Sequence, residues 1–493
     1  MAKLFLFAIG GTGSRVVKSL AMLLASGVEI ENTETIIPII IDPDASNGDL
    51  SRTVEILKCY KNIREKAYSD NSDFFKTKFS SLDELGEGVN YVSDNFKFNI
   101  DGVSTLLFKE FIGYTGLDEN NKSLVSLLFS KSNLEADMDV GFKGNPNIGS
   151  VVLNKFKQSD FFTRFAQNFE KDDRVFIISS IFGGTGAAGF PLILKNIRDA
   201  APPIPHHNFL IDAKIGAVSV LPYFGVKGNE ATTINSDTFI SKTKAALHYY
   251  SRSIAGNKSI NALYFLGDNV TNEQEGADGS TEQKNNAHFI ELASALAIVD
   301  FMSLDDVDLN VNNGRATNPL YFEFGLGKST SDIKFKDLAS TTFKIIAKPL
   351  TQYALFRSFM DNHYESQSKI KGNAWASNGN NKLNQESLEG RFRDSLGLFN
   401  KHFVSWINEM QQSTVSFNAL DITKFDSDLY QLIEGGGEKK NFIGKLFKGS
   451  GVNNFQNTLS ELEPKFDNLN SPKKLLALMS NTTSIVFDEK ISI

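Results

Sequence analysis

Through the first three hundred residues, apolar positions alternate between two rhythms. Lys3–Ile9 is a short unbroken apolar run, the pattern of a parallel strand buried on both faces. Ser14–Ser26 changes to helical spacing, with Val16, Val17, Leu20, Leu23 and Leu24 on one side and Gly27 as the stop. Thr35–Ile41 is a second β-branched strand and ends in Asp42-Pro43-Asp44. Strand, helix and strand in this order predict a right-handed βαβ unit. Arg174–Ile181, Lys214–Phe224 and Asn261–Leu266 read as further strands. Val151–Phe169, Ala187–Asp199, Ser236–Ser253 and His288–Met302 read as helices, the last with Leu292, Ala293, Leu296, Ala297 and Phe301 facing a core. The expectation is an α/β fold, a mainly parallel sheet flanked by helices.

The rhythm is interrupted in several places. Residues 45–140 are polar and mostly helical, with several loops, and Asp139–Ser150 is a Gly/Asn/Pro loop. Val270–Asn285 is polar enough to be a surface loop. After Leu320–Phe324 the character shifts: Phe335–Gln412 is mostly helical around the polar loop Gly372–Asn384, and Gly435–Gly437 reads as a hinge. The expected organisation is an α/β domain over 1–303, a second, smaller α+β, mostly helical domain over 304–434, and a glycine hinge and tail over 435–493. No tandem repeat or low-complexity tract is present.

Composition narrows the class. A chain of 493 residues with 41% hydrophobic residues can bury a large core. Its 41 Phe residues suit core filling, with some left for subunit contacts. A net charge of -7 argues against a nucleic-acid binder, which would carry a basic face. Cys59 is the one cysteine, so no intrachain disulfide can form, which fits a reducing compartment. No apolar run reaches the ~18 residues of a membrane span. A signal peptide's apolar core would have to pass through Gly10, Gly11 and Gly13, so a cytoplasmic location is expected.

The chemistry lies in a repeated loop. Gly10-Gly11-Thr12-Gly13 follows the first strand, and Gly183-Gly184-Thr185-Gly186 follows the strand at Arg174. A glycine turn between a buried strand and a helix suits phosphate. The first helical turn has unpaired N–H groups, the helix dipole adds positive charge, and glycine lets the backbone come close. One such tetrapeptide arises by chance in on the order of one chain in a hundred of this length; two matched placements do so far less often. The chain has no GxxxxGK[ST], and Ile9–Arg15 lacks the GxGxxG register. Asp42 lies about 30 residues downstream, beyond the spacing of a dinucleotide fold.

These residues resemble the tubulin/FtsZ superfamily, and within it a divergent bacterial tubulin-like branch. The first family loop, GxGGxGxN, aligns with Ala8-Ile9-Gly10-Gly11-Thr12-Gly13-Ser14-Arg15, with Ala8 at the first Gly and Arg15 at the Asn. The signature GGGTGSG, or GGGTGTGAAP, aligns with Phe182-Gly183-Gly184-Thr185-Gly186-Ala187-Ala188-Gly189-Phe190-Pro191. Gly141–Ser150, with Asn147 and Gly149, falls where the family has another phosphate loop. Pro222-Tyr223-Phe224 matches the turn that reaches the ribose; Val226 stands at its acidic position, and Glu230 is the nearby substitute. Asp268-Asn269 and Asn286 fall at the base end, and Asn286–Met302 matches the long central helix. The resemblance spans roughly residues 3–310.

The resemblance implies GTP or GDP as ligand, Mg²⁺ accompanying the phosphates, and copies stacked head to tail as a filament. An acidic loop of one copy would polarise the attacking water in the next. The Asn-x-Asp-Phe-x-Asp pattern survives here as Asp300-Phe301, with Asp305, Asp306 and Asp308 close behind. Two other functions stay open: a non-hydrolysing nucleotide-binding scaffold or sensor in a bacterial multiprotein system, an anti-phage one among them, and a Rossmann-type NAD(P) oxidoreductase. The latter gives the second GGTG no role.

Smaller features have plainer expectations. Asp42, at a strand end, suits a ribose or Mg²⁺-water contact or an Asp-Pro turn. His206-His207 lacks an acidic or Cys partner at ligand spacing and reads as a surface loop; no protein metal site is expected. His288 reads as a helix-terminal histidine near the base. Lys439–Lys448 is basic and amphipathic, a candidate for docking on its own domain or on a protein partner rather than a membrane.

Overall fold

The computed structural model describes residues 2–44, 47–86, 93–98, 106–138, 142, 145–223, 225–227, 236–268, 273–275, 285–325, 331–364, 372–377, 382–383, 388, 390–413, 415–424, 432–434, 437–438 and 451–492. Its principal strands are β1 (Lys3–Ile9), β2 (Thr35–Ile41), β3 (Lys78–Phe79), β4 (Lys97–Phe98), β5 (Arg174–Ser180), β6 (Lys214–Val220), β7 (Ala262–Gly267) and β8 (Leu320–Gly325). The helices used below are α1 (Gly10–Ala25), α2 (Gly48–Ala67), α3 (Pro146–Leu153), α4 (Asp160–Asn168), α5 (Gly184–Arg198), α6 (Ser236–Tyr250), α7 (Phe289–Ser303), α8 (Ser340–Phe359), α9 (Gly390–Gln411), α10 (Gly451–Leu462) and α11 (Ser471–Lys490).

The eight strands form one sheet in the order β8-β7-β6-β5-β1-β2-β3, with β4 also pairing β2. Every pairing in it is parallel. The expected mainly parallel sheet flanked by helices is therefore the architecture of this chain. Leu4–Ile9 is wholly buried, as an unbroken apolar run in a central parallel strand requires. Phe5 and Phe7 share a face and meet Phe165 of α4 edge-on, at 5.0 and 5.1 Å between ring centres.

Helix α1 is buried along almost its entire length, Arg15 and Lys18 included. It packs against α2 and α7. The C-terminal helices close over this layer: α9 and α11 pack on α2, and α8 packs on α11. Phe74, just past α2, stacks on Phe356 of α8 at 5.3 Å, and Asp73 N–H donates to Ser480 Oγ of α11 at 3.1 Å. The apolar core runs without a break from β1 to Ile491 among the described residues.

Element boundaries differ from expectation in instructive ways. Helices α1 and α5 begin at Gly10 and Gly184, so each GGTG supplies a first turn rather than a preceding loop. The helix expected over Val151–Phe169 is broken: α3 runs into a 3₁₀ turn at Asn154–Gln158, and Ser159 starts α4 by accepting from Phe162 N–H. Ser236–Ser253 is helical to Tyr250 and then widens into a π turn at Ser251–Ala255. Gly437 of the expected hinge pairs with Ser492, while its neighbours at 435–436 and the segment Lys439–Lys448 lie outside the described residues.

Candidate functional site

The chain lays down β1, β2, β3 and β4 to one side, then returns to place β5 on the other side of β1. That reversal makes a crevice outside the carboxyl ends of β1 and β5, where open α/β sheets bind ligands. Both GGTG segments sit there, one after each strand. Gly10 has φ +72°, a conformation glycine adopts without penalty, and a Cβ built on it would lie 3.6 Å from Thr185 Cβ. Helix α3 joins them. A Cβ on Gly149 would lie 3.1 Å from the carbonyl oxygen of Gly184 and 2.9 Å from Ala188 Cβ, so only glycine allows the approach.

Three helix N-termini therefore meet at one place. None of the three has a side-chain cap, and none has an acidic residue in its first turn. Elsewhere the chain caps helices readily, with Asn47 on α2, Ser159 on α4 and Asn470 on α11. Uncapped N–H groups and three positive dipole ends fit a polyanion such as a phosphate chain. Gly183, Thr185 and Ala187 are half-buried and Gly11 is partly open, whereas Thr12, Gly13, Ser14, Gly184 and Gly186 are buried. Asn147 is exposed on α3, and Asn286 is exposed just before α7. Glu230, Asn269 and most of the loop at 139–144 lie outside the described residues.

Arg15 sits differently from a ligand-facing side chain. It is 2% exposed and donates to Asp49 Oδ2 at 2.7 Å, to Glu291, to Tyr223 Oη at 2.8 Å and to Thr12 Oγ1 at 3.3 Å. Burial alone would weaken its hold on the proton, but Tyr223, Glu291 and Asp49 reverse this and keep it charged. Tyr223 in turn donates to Glu291 Oε1 at 2.7 Å. Arg15 thus holds Tyr223, the first GGTG and the start of α7 in one network. Its guanidinium is spent on protein groups.

The network continues away from the crevice. Arg52 donates to Asp49 at 3.0 Å, to Asn285 O at 2.7 Å and to Glu409 at 2.6 Å. Glu409 also takes Lys18 Nζ at 3.2 Å and Ala287 N–H at 2.7 Å. Apart from Arg52 and Asp49, three residues apart on α2, these residues lie too far apart in sequence for any local pattern to join them, and the sequence reading missed Asp49, Arg52, Glu291 and Glu409. The signal that was available is Lys18 and Arg15 on the apolar helix α1, because buried cations require buried carboxylates.

At the N-terminal end of α7, His288 caps the helix: its Nδ1 accepts from Ile290 N–H at 3.1 Å, so the neutral ring carries its proton on Nε2. Its ring lies 5.0 Å from that of Tyr223, and burial lowers its pKa to about 4. Asp42 accepts from Asp44 N–H at 3.1 Å, and burial raises its carboxyl to about 7.

The acidic residues lie at the other end of α7, 15 residues long and so roughly 22 Å away. Asp300 accepts from Tyr264 Oη at 2.6 Å. Asp306 is clamped by Arg174 Nη2 at 2.8 Å and Lys214 Nζ at 2.7 Å; burial would raise its carboxyl, but these two cations hold it below the usual range. Arg174 also donates to the carbonyls of Phe301 and Leu304, at 2.8 and 2.9 Å, and so ties down the end of the helix. Asp305 and Asp308 are exposed. Among the described residues, no group of three or more His, Cys, Asp or Glu could hold a metal ion, and no helix is long and apolar enough to cross a membrane.

The fold is that of an α/β protein with three uncapped helix N-termini meeting at its topological switch point. No family model matches the sequence, and no curated protein matches it. Among solved structures it is similar to CetZ2 from Haloferax volcanii, in a GTPγS-bound protofilament, with TM-score 0.29, 10% identity, and 62% of this chain and 60% of that chain covered. It is also similar to CetZ from Methanosaeta thermophila, with TM-score 0.23, 12% identity, and 61% and 52% covered. Both are CetZ proteins of the tubulin/FtsZ family, and the likeness is distant. The match spans 60% of the first of these chains and 52% of the second.

Proposed function

We propose that this chain binds GTP or GDP and assembles head to tail with copies of itself, hydrolysing GTP at the junction between them. The observation that carries this reading is the contact between the two GGTG turns, with a third uncapped helix beside them. Backbone N–H groups of Gly10–Ser14 and Gly184–Ala187 would cradle the phosphates, and Thr12 and Thr185 would supply hydroxyl donors. Asp42 would take the ribose or a Mg²⁺-bound water, and Asn147, Gly149 and Asn286 would line the remaining rim. Arg15 would act by holding Thr12 and Tyr223 in place.

The length of α7 explains the need for a second copy. Carboxylates at the far end of a helix roughly 22 Å long cannot serve a nucleotide bound at its near end, but they can serve that of a copy stacked on the crevice. Asp305 and Asp308, both exposed, are the candidates for orienting the water. The test is phosphate release against protein concentration. A composite site gives specific activity that rises with concentration; activity independent of concentration overturns the junction mechanism.

A second reading has its own observation. Asp306 and Asp300 are already held by Arg174, Lys214 and Tyr264, which suits a scaffold or sensor that keeps its nucleotide. Bound GTP with no phosphate release at any concentration would favour it. A nicotinamide oxidoreductase leaves the second GGTG without a task, and the absorbance of a released ligand separates nicotinamide from guanine.

A further inference from the structure

Glu409 lies near the C-terminal end of α9, nearly four hundred residues from the first GGTG, yet its carboxylate reaches Lys18 of α1 and the segment that leads into α7. It is 9% exposed. One oxygen accepts from Lys18 Nζ at 3.2 Å and Ala287 N–H at 2.7 Å; the other accepts from Arg52 Nη1 at 2.6 Å and Ser405 Oγ at 3.2 Å. Ala287 directly precedes His288, the cap of the central helix. Arg52 passes the connection on to Asp49 and Asn285, and Asp49 receives Arg15, which holds Thr12. Three cations (Arg15, Lys18, Arg52) and three carboxylates (Asp49, Glu291, Glu409) thus form one connected network. One carboxylate of the three comes from the C-terminal helices, and it is the partner of Lys18. Trp406, one turn earlier on α9, donates to Ser19 Oγ at 3.1 Å and fixes α9 against α1 beside it.

We propose that Glu409 is a positioning residue for the nucleotide site: it sets the backbone at the entry to the central helix and holds Lys18 and Arg52, so that nucleotide occupancy and the end of α9 respond to each other. This rests on the nucleotide reading above. The physical argument is local. A carboxylate that takes a backbone N–H and two cations fixes three elements at once, and loss of its charge leaves Lys18 and Arg52 with excess positive charge in a buried place. The segment 285–288 then loses one of its anchors, and Asn286 and His288 lose their register with the crevice. Because the acidic loop lies at the far end of α7, the effect falls on binding and not on the chemical step.

The experiment uses the full chain and its Glu409→Gln variant. GTP affinity is measured by equilibrium titration, and steady-state phosphate release gives kcat and KM. Glu409→Gln should weaken GTP binding by about tenfold and raise KM in step, with kcat at saturation unchanged. Glu409→Asp, which keeps the charge, should recover part of the affinity. Hydrogen exchange on the wild-type chain needs no variant: GTP should slow exchange at 285–288 and at 405–411 while leaving 471–490 of α11 unchanged. Unchanged affinity in Glu409→Gln, or no nucleotide effect at 405–411, overturns the assignment of Glu409 alone. A wild-type chain that binds neither GTP nor GDP overturns the nucleotide reading and this inference with it.

Discussion

A Cβ placed on Gly10 would sit 3.6 Å from the Cβ of Thr185, although 175 positions separate the two residues in the chain. That approach brings two identical tetrapeptides together at one place in the fold. Gly10 has φ +72°, so valine there adds roughly 1–2 kcal/mol of backbone strain and a branched side chain against Thr185. Gly10→Val should lose GTP binding in equilibrium titration. Thr185→Val, which keeps shape and removes the hydroxyl, should weaken it by about tenfold. Normal binding by Gly10→Val would show that the two turns do not share a ligand.

Arg15 offers a test of a different kind. If it serves the network, Arg15→Gln leaves Asp49 and Glu291 as buried carboxylates short of a cation, a change that costs about 3–5 kcal/mol. The expected result is a large fall in Tm with or without nucleotide. Unchanged Tm with lost GTP affinity would instead make Arg15 a phosphate ligand.

The acidic end separates into roles. Asp305→Asn and Asp308→Asn should spare GTP binding and reduce phosphate release. Asp306→Asn should also free the loop from Arg174 and Lys214, which speeds amide exchange over 304–309. A rate loss in Asp306→Asn without faster exchange would make Asp306 a direct participant and not an anchor.

Asp42 predicts a pH dependence. Its folded pKa of about 7 lies above the unfolded carboxyl value of about 3.9. The folded state therefore holds the proton more tightly, and this contribution to stability is present at low pH and lost as pH rises from about 4 to about 7. Asp42→Asn should flatten that part of the profile in urea titrations, with the variant gaining on wild type above pH 7. If Asp42 meets a Mg²⁺-bound water, Mg²⁺-dependent GTP binding should also strengthen across pH 7 in wild type and not in Asp42→Asn.

The sheet was legible because buried parallel strands are written as unbroken apolar runs: Lys3–Ile9 and Thr35–Ile41 have those bounds in the structure. The two GGTG turns were legible as a pair, and the strand order explains why they meet. The break at Ser159 was missed although Ser159-Asp160 is a helix-start signal, because the apolar spacing on either side could be read straight through it. The charge network was hidden for another reason. Arg15, Asp49, Glu291 and Glu409 are joined only by tertiary packing, and the spacing of residues along one chain does not encode which distant carboxylate meets a buried cation.

The central claim is that two turns make one nucleotide site, and stoichiometry tests it most directly. Titrating GTP into the purified, nucleotide-stripped chain should give one guanine nucleotide per chain, with that single site abolished by Gly10→Val. Two independent sites per chain, or no binding of GTP and GDP, would contradict it.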